Sequence, residues 1–271
     1  MQVGPTPPNQ PNATNLPNAT NLLNPNNATN LLLNPIINTN PKNDATNQPL
    51  TVGNNALLKE SFTVCYLVLF GTAAITFIEA MRTNNVHARH ILNLETAVSL
   101  TAGLVYGMFI TMSEKENFDL KQVVYYRYVD WAITTPMLLL VLLLFLTFHS
   151  TVPLSISQYL VIILLNYLML LFGYLGEKGM MDKRKAQIGG FVAFFSMILI
   201  IYMLFIREHF SSWMYPPFIL FMIFTIVWAL YGVAAELDDL HKNLMYNVLD
   251  VIAKVFFGLG LWVYYGGVTA L

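Results

Sequence analysis

Residues 243–268 read NLMYNVLDVIAKVFFGLGLWVYYGGV, a run apolar enough to cross a membrane that carries Asp250 and Lys254 in its interior. A span needs about 20 mostly apolar residues to cross a hydrocarbon core of ~30 Å. Charges placed inside one are costly and usually functional. Asp250 and Lys254 stand four apart, so they share one helix face about 6 Å from each other, and Asn243 and Asn247 extend the stripe. Two explanations fit a lysine in this setting. It either forms a buried ion pair that fixes helix packing, or it is an imine-forming lysine held among carboxylates.

Working outward from this run, six more spans appear, at roughly 61–81, 88–112, 122–146, 153–176, 187–207 and 213–235. The breaks between them carry nearly all the charge: Arg82 to His90, Glu114 to Lys121, Glu177 to Lys185, Arg207 to His209 and Glu236 to Lys242. Pro153 is expected to open the fourth span, and Pro216 and Pro217 fall in the first turns of the sixth, where a missing N–H is harmless. Backbone groups find no water in a bilayer core, so each span is expected to be an α-helix. The fold class is therefore an all-α membrane bundle of seven helices over residues 51–271, with short loops and antiparallel neighbours.

Composition supports this. The 271 residues are 56% hydrophobic and 11% charged, with mean hydropathy +0.55, against about 25% charged in an ordinary soluble domain. Lys+Arg 14 against Asp+Glu 15 leaves net charge −1, no footprint for nucleic acid. Cys65, the single cysteine, excludes an intrachain disulfide or a cysteine metal cluster. No metal-ligand spacing or nucleotide motif is present, His87 and His90 read as a solvated loop face, and the chain is not expected to be an enzyme. Residues 1–50 hold 14 asparagines and only Lys42 and Asp44 as charges, with PNATNL at 11–16 and 17–22 and NATNLLLNP at 27–35. Such an aromatic-free arm buries too little apolar surface to offset its chain entropy and is expected to be disordered. Asn12, Asn18 and Asn27 head N-x-T triplets, which are glycosylation acceptors if this end is outside and chance products of the repeat otherwise.

A second span carries charge on one face. Arg127, Asp130 and Thr134 follow i, i+3, i+7 in the stretch Arg127-Tyr-Val-Asp130-Trp131-Ala-Ile-Thr134-Thr135-Pro136. This stretch resembles the third helix of the microbial (type 1) rhodopsins. Leu249-Asp250-Val-Ile-Ala-Lys254-Val-Phe-Phe-Gly258 resembles their seventh. Trp228 and Tyr231 match the sixth-helix contacts of the family's retinal, and Asn166, Met169 and Gly173 the fourth-helix pattern, with Asn166 where many pumps have Asp. Tyr106 matches the second-helix tyrosine near the counterion. The resemblance covers residues 61–268 and leaves out the Asn-rich arm.

The resemblance implies all-trans retinal held by Lys254 as a protonated Schiff base. Trp131, Thr135, Leu138, Met169, Gly173, Trp228 and Tyr231 are implied as its walls. Asp130 and Asp250 are the implied counterions, with Arg127 balancing the second negative charge and Tyr106 beside them, and Asp130 is the first proton acceptor. Thr134 is expected to hydrogen-bond Asp130. Leu138 occupies the family's colour-tuning site, where Leu goes with green absorption. The resemblance also implies an extracellular N-terminus and a cytoplasmic C-terminus. The charges run against this: that orientation puts Arg82, Arg89 and Arg207 inside and Lys115, Lys121, Lys178, Lys183, Arg184, Lys185 and Lys242 outside, contrary to the positive-inside tendency.

Two departures bear on function. Outward proton pumps of the family carry a carboxylate eleven residues after the third-helix Asp, ~16 Å along the helix. Here that residue is Val141, which cannot return a proton. Glu95, eleven residues before Tyr106 with Ser99 four later, resembles the central gate glutamate of channelrhodopsins, although it also reads as a carboxyl group tied to a neighbouring carbonyl. Thr72, Thr76 and Glu79 make a polar stripe on the first helix, and together the two stripes are expected to line an ion path. Val255, where channelrhodopsins commonly have Asn, and the Thr135/Asn166 pair depart from the algal channels. The segments Phe77-Ile-Glu79-Ala-Met-Arg82 and His90-Ile-Leu-Asn-Leu-Glu95-Thr look most like rhodopsins of giant viruses, one group of which contains light-gated cation channels. A light-gated cation channel is therefore the leading expectation. The alternatives are an outward proton pump, resting on Asp130, Thr134, Asp250 and Arg127, and a photosensory receptor acting through a separate transducer. Expected partners are the lipid bilayer, cations (H+, Na+, K+ or Ca2+) and a homo-oligomer of the chain.

Overall fold

In a computed structural model, the structure describes Met1 and residues 52–115, 118–150, 152–207 and 216–269. The predicted disorder of the 1–50 arm and its Asn-x-Thr triplets lie outside the described residues. Seven helices long and apolar enough to cross a membrane are present among them: α1 Val52–Arg82, α2 Val86–Ser113, α3 Leu120–His149, α4 Ile156–Glu177, α5 Lys183–Ile201, α6 Pro216–Ala234, and α7. The last runs as Asp239–Asp250, a π-helical stretch Val251–Phe256, and Phe257–Thr269. A second π-helical turn, Tyr202–Ile206, ends α5.

The helices start where short polar side chains satisfy first-turn N–H groups. Asn85 accepts from His87 and Ala88 to open α2, Asp119 accepts from Lys121 for α3, Asp182 from Lys185 for α5 and Asp238 from His241 for α7. Asp238 also accepts from the His241 ring, and these bonds lower its pKa. Two sequence expectations shift here. Pro153 lies before α4, which opens instead on a reciprocal Ser155–Gln158 capping box. His87 is not on a solvated loop: it sits in the first turn of α2, with Nε2 3.1 Å from the Leu144 carbonyl and its ring stacked on Phe148.

Much of the bundle's apolar surface faces outward, as in Leu67, Phe77, Leu104 and Ile133. Lipid is the solvent there, so an outward Leu costs nothing. The interior divides into an apolar half, where Val141, Leu142, Phe145, Phe194, Met197 and Phe205 pack together, and a half threaded by buried polar groups. Pro136 lies inside α3. Lacking an N–H, it leaves the carbonyl of Ala132 without its intrahelical donor, and the Tyr167 hydroxyl of α4 supplies one at 3.1 Å. Tyr159 of the same helix donates to the Pro136 carbonyl at 3.0 Å. Replacing Tyr167 by Phe should expose that loss, lowering the bundle's stability by about 1 kcal/mol. An unchanged thermal midpoint of helix loss would show that the carbonyl finds another donor.

Candidate functional site: a buried charge quartet and an elongated cavity

The two charged stripes read from the sequence meet in the centre of the bundle. Lys254, 1% exposed, donates from Nζ to Asp130 Oδ2 at 2.6 Å and lies 3.5 Å from Asp250 Oδ1. Arg127 Nη1 approaches Asp250 Oδ2 at 3.4 Å. Two cations and two anions thus close a quartet in which every member is at most 2% exposed. A buried charge is tolerated only when paired and hydrogen-bonded, and each one draws in further partners. Asp250 accepts from Tyr106 at 2.7 Å, Tyr231 at 2.6 Å and Trp131 Nε1 at 3.4 Å. Arg127 Nη2 donates to Asn247 at 2.8 Å and Asn243 at 3.5 Å, and its guanidinium lies among the Tyr106, Phe109 and Tyr246 rings. Asn247 donates on to Ser61 of α1 at 2.8 Å.

The two carboxylates differ in their surroundings. Asp250 has both oxygens engaged, whereas Asp130 Oδ1 is buried with no hydrogen-bond partner. Thr134 does not supply it. Its hydroxyl donates to the backbone carbonyl of Asp130 at 2.9 Å, since a threonine hydroxyl inside a helix reaches the carbonyl four residues back. The expected bond to the carboxylate is therefore absent.

From Lys254 a cavity runs between the helices, with about 820 Å³ free of protein atoms, its open mouth included. Trp131, Thr135 and Leu138 of α3, Met169 and Gly173 of α4, and Trp228 and Tyr231 of α6 all line it. The sequence reading missed Tyr128, Tyr246, and Gln187, Phe191 and Phe194 of α5. Tyr246 and Tyr231 stack at 5.8 Å, and both stand edge-on to Trp131. Gly173 is there for space: a methyl group on it would lie 2.6 Å from the Tyr128 hydroxyl. Thr135 accepts from the Asn166 amide at 2.8 Å. The cavity is mostly apolar, with Lys254 and Asp250 as its charged lining residues, which suits a long polyene attached through a cationic nitrogen.

The remaining predicted residues lie beyond Lys254, between α1, α2 and α7. Thr72, Thr76, Glu95 and Ser99 are buried together. Glu95 is 0% exposed and neither of its carboxyl oxygens has a hydrogen-bond partner, so the expected alternative of a tie to a neighbouring carbonyl is not what forms. A methyl group on Gly258 would lie 3.1 Å from Glu95 Oε2 and 3.2 Å from Thr72 Cγ2, so the three meet. Thr76 bonds Thr96, which lies outside the two stripes, at 2.9 Å. Glu79 lies near the end of α1, with Arg82 3.9 Å away. The two stripes pack against each other in this state. Lys242, expected in a loop, is also buried, 5% exposed in the first turn of α7 and paired with Glu177 at 2.9 Å and Asp239 at 3.0 Å.

Comparison with known proteins agrees with this geometry. Residues 57–267 match the family described as Bacteriorhodopsin-like protein. A green-light absorbing proteorhodopsin from Gamma-proteobacterium EBAC31A08 is 29% identical over 221 residues, covering 74% of this chain and 84% of that one. A blue-light absorbing proteorhodopsin from Gamma-proteobacterium Hot 75m4 is 26% identical over 214 residues, covering 73% and 82%. The crystal structure of viral rhodopsin OLPVRII superposes with a TM-score of 0.73 at 38% identity, covering 78% of this chain and 99% of that chain. The chain belongs to the bacteriorhodopsin-like family. It is an integral, multi-pass membrane photoreceptor of the microbial rhodopsin class, it binds retinal through a Schiff base, and it resembles the viral rhodopsins.

Removing one charge from the quartet strands its partner. Arg127→Gln should therefore destabilise the protein by about 3 kcal/mol or more. Asp250→Asn in the same chain should recover part of that loss. A double-mutant cycle on the thermal midpoint measures the coupling, and strict additivity would show that the two charges are independent.

Proposed function

We propose that Lys254 carries the retinal and that the protein is a light-gated cation channel whose N-terminus is outside. The observation that carries the channel reading is Glu95. An intramembrane carboxyl group with no donor or cation beside it is expensive and has no packing purpose. Here it stands in a polar seam with Thr72, Thr76 and Ser99 between α1, α2 and α7. Such a seam supplies ion-coordinating oxygens once the helices part.

Retinal, when bound, supplies absorption of visible light and a light-driven change of its shape. The rest is done by side chains. Trp131, Trp228 and Tyr231 confine the cavity, so a change of shape inside it is felt by α3, α6 and α7. Asp130, 2.6 Å from Nζ and with one oxygen free, is placed to take the proton at that nitrogen. Asp250 keeps its place through Tyr106, Tyr231 and Arg127. Losing the Lys254–Asp130 ion pair removes a tie between α3 and the π-helical stretch of α7, and Gly258, two residues past that stretch, abuts Glu95.

A second reading, an outward proton pump, is supported by Asp130 and by the chain of polar groups from Arg127 through Asn247 to Ser61. Whole-cell voltage clamp of retinal-fed cells separates the two. The channel reading expects a photocurrent that changes sign with holding potential, with a reversal potential that follows the cation gradients. A current outward at every voltage would establish the pump. Glu95→Ala should change current size or selectivity, and unchanged currents would remove Glu95 from the path. Lys254→Ala should yield a colourless protein, and a coloured one would overturn the retinal assignment. With Leu138 buried beside the cavity, the absorption band is expected in the green, as in the green-light absorbing relative, and a visible spectrum of the purified protein checks it.

A further inference from the structure

The cavity that holds Lys254 in its wall is built by α3, α4, α5, α6 and α7. Lys254 itself is 1% exposed. A polyene aldehyde dissolves in the hydrocarbon of the bilayer rather than in water. Its way to the lysine is therefore a seam between neighbouring helices, reached from the lipid. Three of the four seams are fastened along their depth. Between α3 and α4, Asn166 donates to Thr135, Tyr167 to the Ala132 carbonyl and Tyr159 to the Pro136 carbonyl. Between α4 and α5, glycines draw the backbones together: a methyl group on Gly176 would lie 2.7 Å from Ala186 Cβ, and one on Gly189 would lie 2.8 Å from the Phe172 ring. Between α6 and α7, Tyr231 donates to Asp250 at 2.6 Å and stacks on Tyr246.

The seam between α5 and α6 is held differently. At its surface end Lys183 and Glu236 pair at 3.5 Å with both side chains half exposed, an arrangement that contributes little. Deeper in, α6 is ending. The Glu236 N–H, which a continued helix would aim at the Gly232 carbonyl, bonds Val233 instead. Gln187 of α5 serves that carbonyl, donating from Nε2 at 2.6 Å. One turn along, Phe191 lays its ring on the same glycine, where a methyl group would be 2.7 Å from Cζ. The neighbouring lining residues Ala186, Gly190 and Ala235 are small. Gln187 and Phe191 line the cavity on one side and an apolar groove with Ile188, Val192 and Phe195 on the other. Those three side chains are exposed, facing lipid. Phe191 stacks on Phe195 at 5.8 Å. One amide and one ring thus separate the cavity from the bilayer.

We propose that the α5–α6 seam is a lateral gate through which retinal passes from the lipid to Lys254. The outer groove is where it lands, Phe191 is the door, and the Gln187–Gly232 hydrogen bond is the latch. Gly232 lets the door shut, since any side chain there would meet the Phe191 ring. Opening breaks one hydrogen bond and turns one ring, and it leaves the charge quartet around Lys254 intact. The gate rests on the placing of retinal at Lys254 and is independent of whether the protein is a channel or a pump.

The test is the rate at which retinal-free protein in lipid nanodiscs takes up all-trans retinal from donor vesicles. Trp131 and Trp228 line the cavity, so quenching of tryptophan fluorescence reports arrival, and visible colour reports the bond to the lysine. Gln187→Leu, which keeps the bulk and removes the latch, should speed quenching by about fivefold. Val192→Trp fills the outer groove from a position that does not line the cavity. It should slow quenching by a comparable factor while the final pigment yield and absorption band stay those of wild type. Leu164→Trp, on the lipid-facing side of α4, is the control and should take up retinal at the wild-type rate. Wild-type rates in both Q187L and V192W would overturn the gate, as would an equal slowing in L164W. Should Q187L fail to fold, the comparison of V192W with L164W decides alone. The attachment fails separately from the gate: Lys254→Ala should quench yet stay colourless, and a coloured Lys254→Ala protein would overturn the attachment while the uptake rates still decide the gate.

Discussion

A single cationic nitrogen in the middle of a bilayer protein sets the terms for everything around it. Lys254 needs an anion at contact distance, and Asp130 supplies it at 2.6 Å. The second carboxylate, Asp250, lies on the lysine's own helix at 3.5 Å and would leave the site with excess negative charge, so Arg127 enters from α3. Arg127 in turn cannot be buried bare, and it claims Asn243, Asn247 and three aromatic rings. Four charges thereby fix the rotation of α7 against α3 and place Tyr106, Tyr231 and Trp131 around one carboxylate. The π-helical stretch Val251–Phe256 falls at this point, and a local widening of the helix at a functional residue is the usual setting for such a turn.

The cavity follows from the same constraint. Lys254 and Asp250 are the charged groups in its wall, and polar groups elsewhere in the lining are partnered, as where Thr135 accepts from Asn166 and Gln187 donates to the Gly232 carbonyl, so a polyene can lie there without stranding them. Its shape is set by small and large residues in opposition, as where Gly173 makes room for the Tyr128 hydroxyl. The asymmetry between the two carboxylates matters more than their number. Asp250 is saturated by donors, while Asp130 has an oxygen to spare.

The fold was legible because the seven apolar runs are separated by nearly all of the chain's charge, and the centre of the site because intramembrane ionisable residues at helical spacing have few other uses. What escaped the sequence did so for physical reasons. Lipid accepts an apolar side chain as readily as the core does, so hydrophobicity says nothing about which face of α5 turns inward, and Phe191 and Phe194 gave no signal. Lys242 read as loop because it neighbours acidic residues, yet those residues, Asp239 with Glu177, are what allow it to be buried. Thr134 lies on the right face, but a helix offers its hydroxyl a nearer acceptor than a carboxylate, the carbonyl one turn back. Pro153 marked the start of α4 only approximately, because the reciprocal Ser155–Gln158 bonds define that boundary more strongly than a missing N–H does.

The polar groups around Lys254 are not arranged alike on its two sides. Toward Asp250 every oxygen but one is engaged, and a continuous hydrogen-bonded chain leads from Arg127 through Asn247 to Ser61. Toward Gly258 the polar atoms of Glu95 and Ser99 are few, buried and unengaged. Lys254 thus stands between a saturated network and an unsaturated one. With Val141 apolar, the polar groups on the second side come from α2, a helix that in this bundle packs directly on α1 and whose polar face is matched there by Thr72 and Thr76. The unsaturated side of Lys254 is therefore built by α1 and α2 against Gly258 of α7.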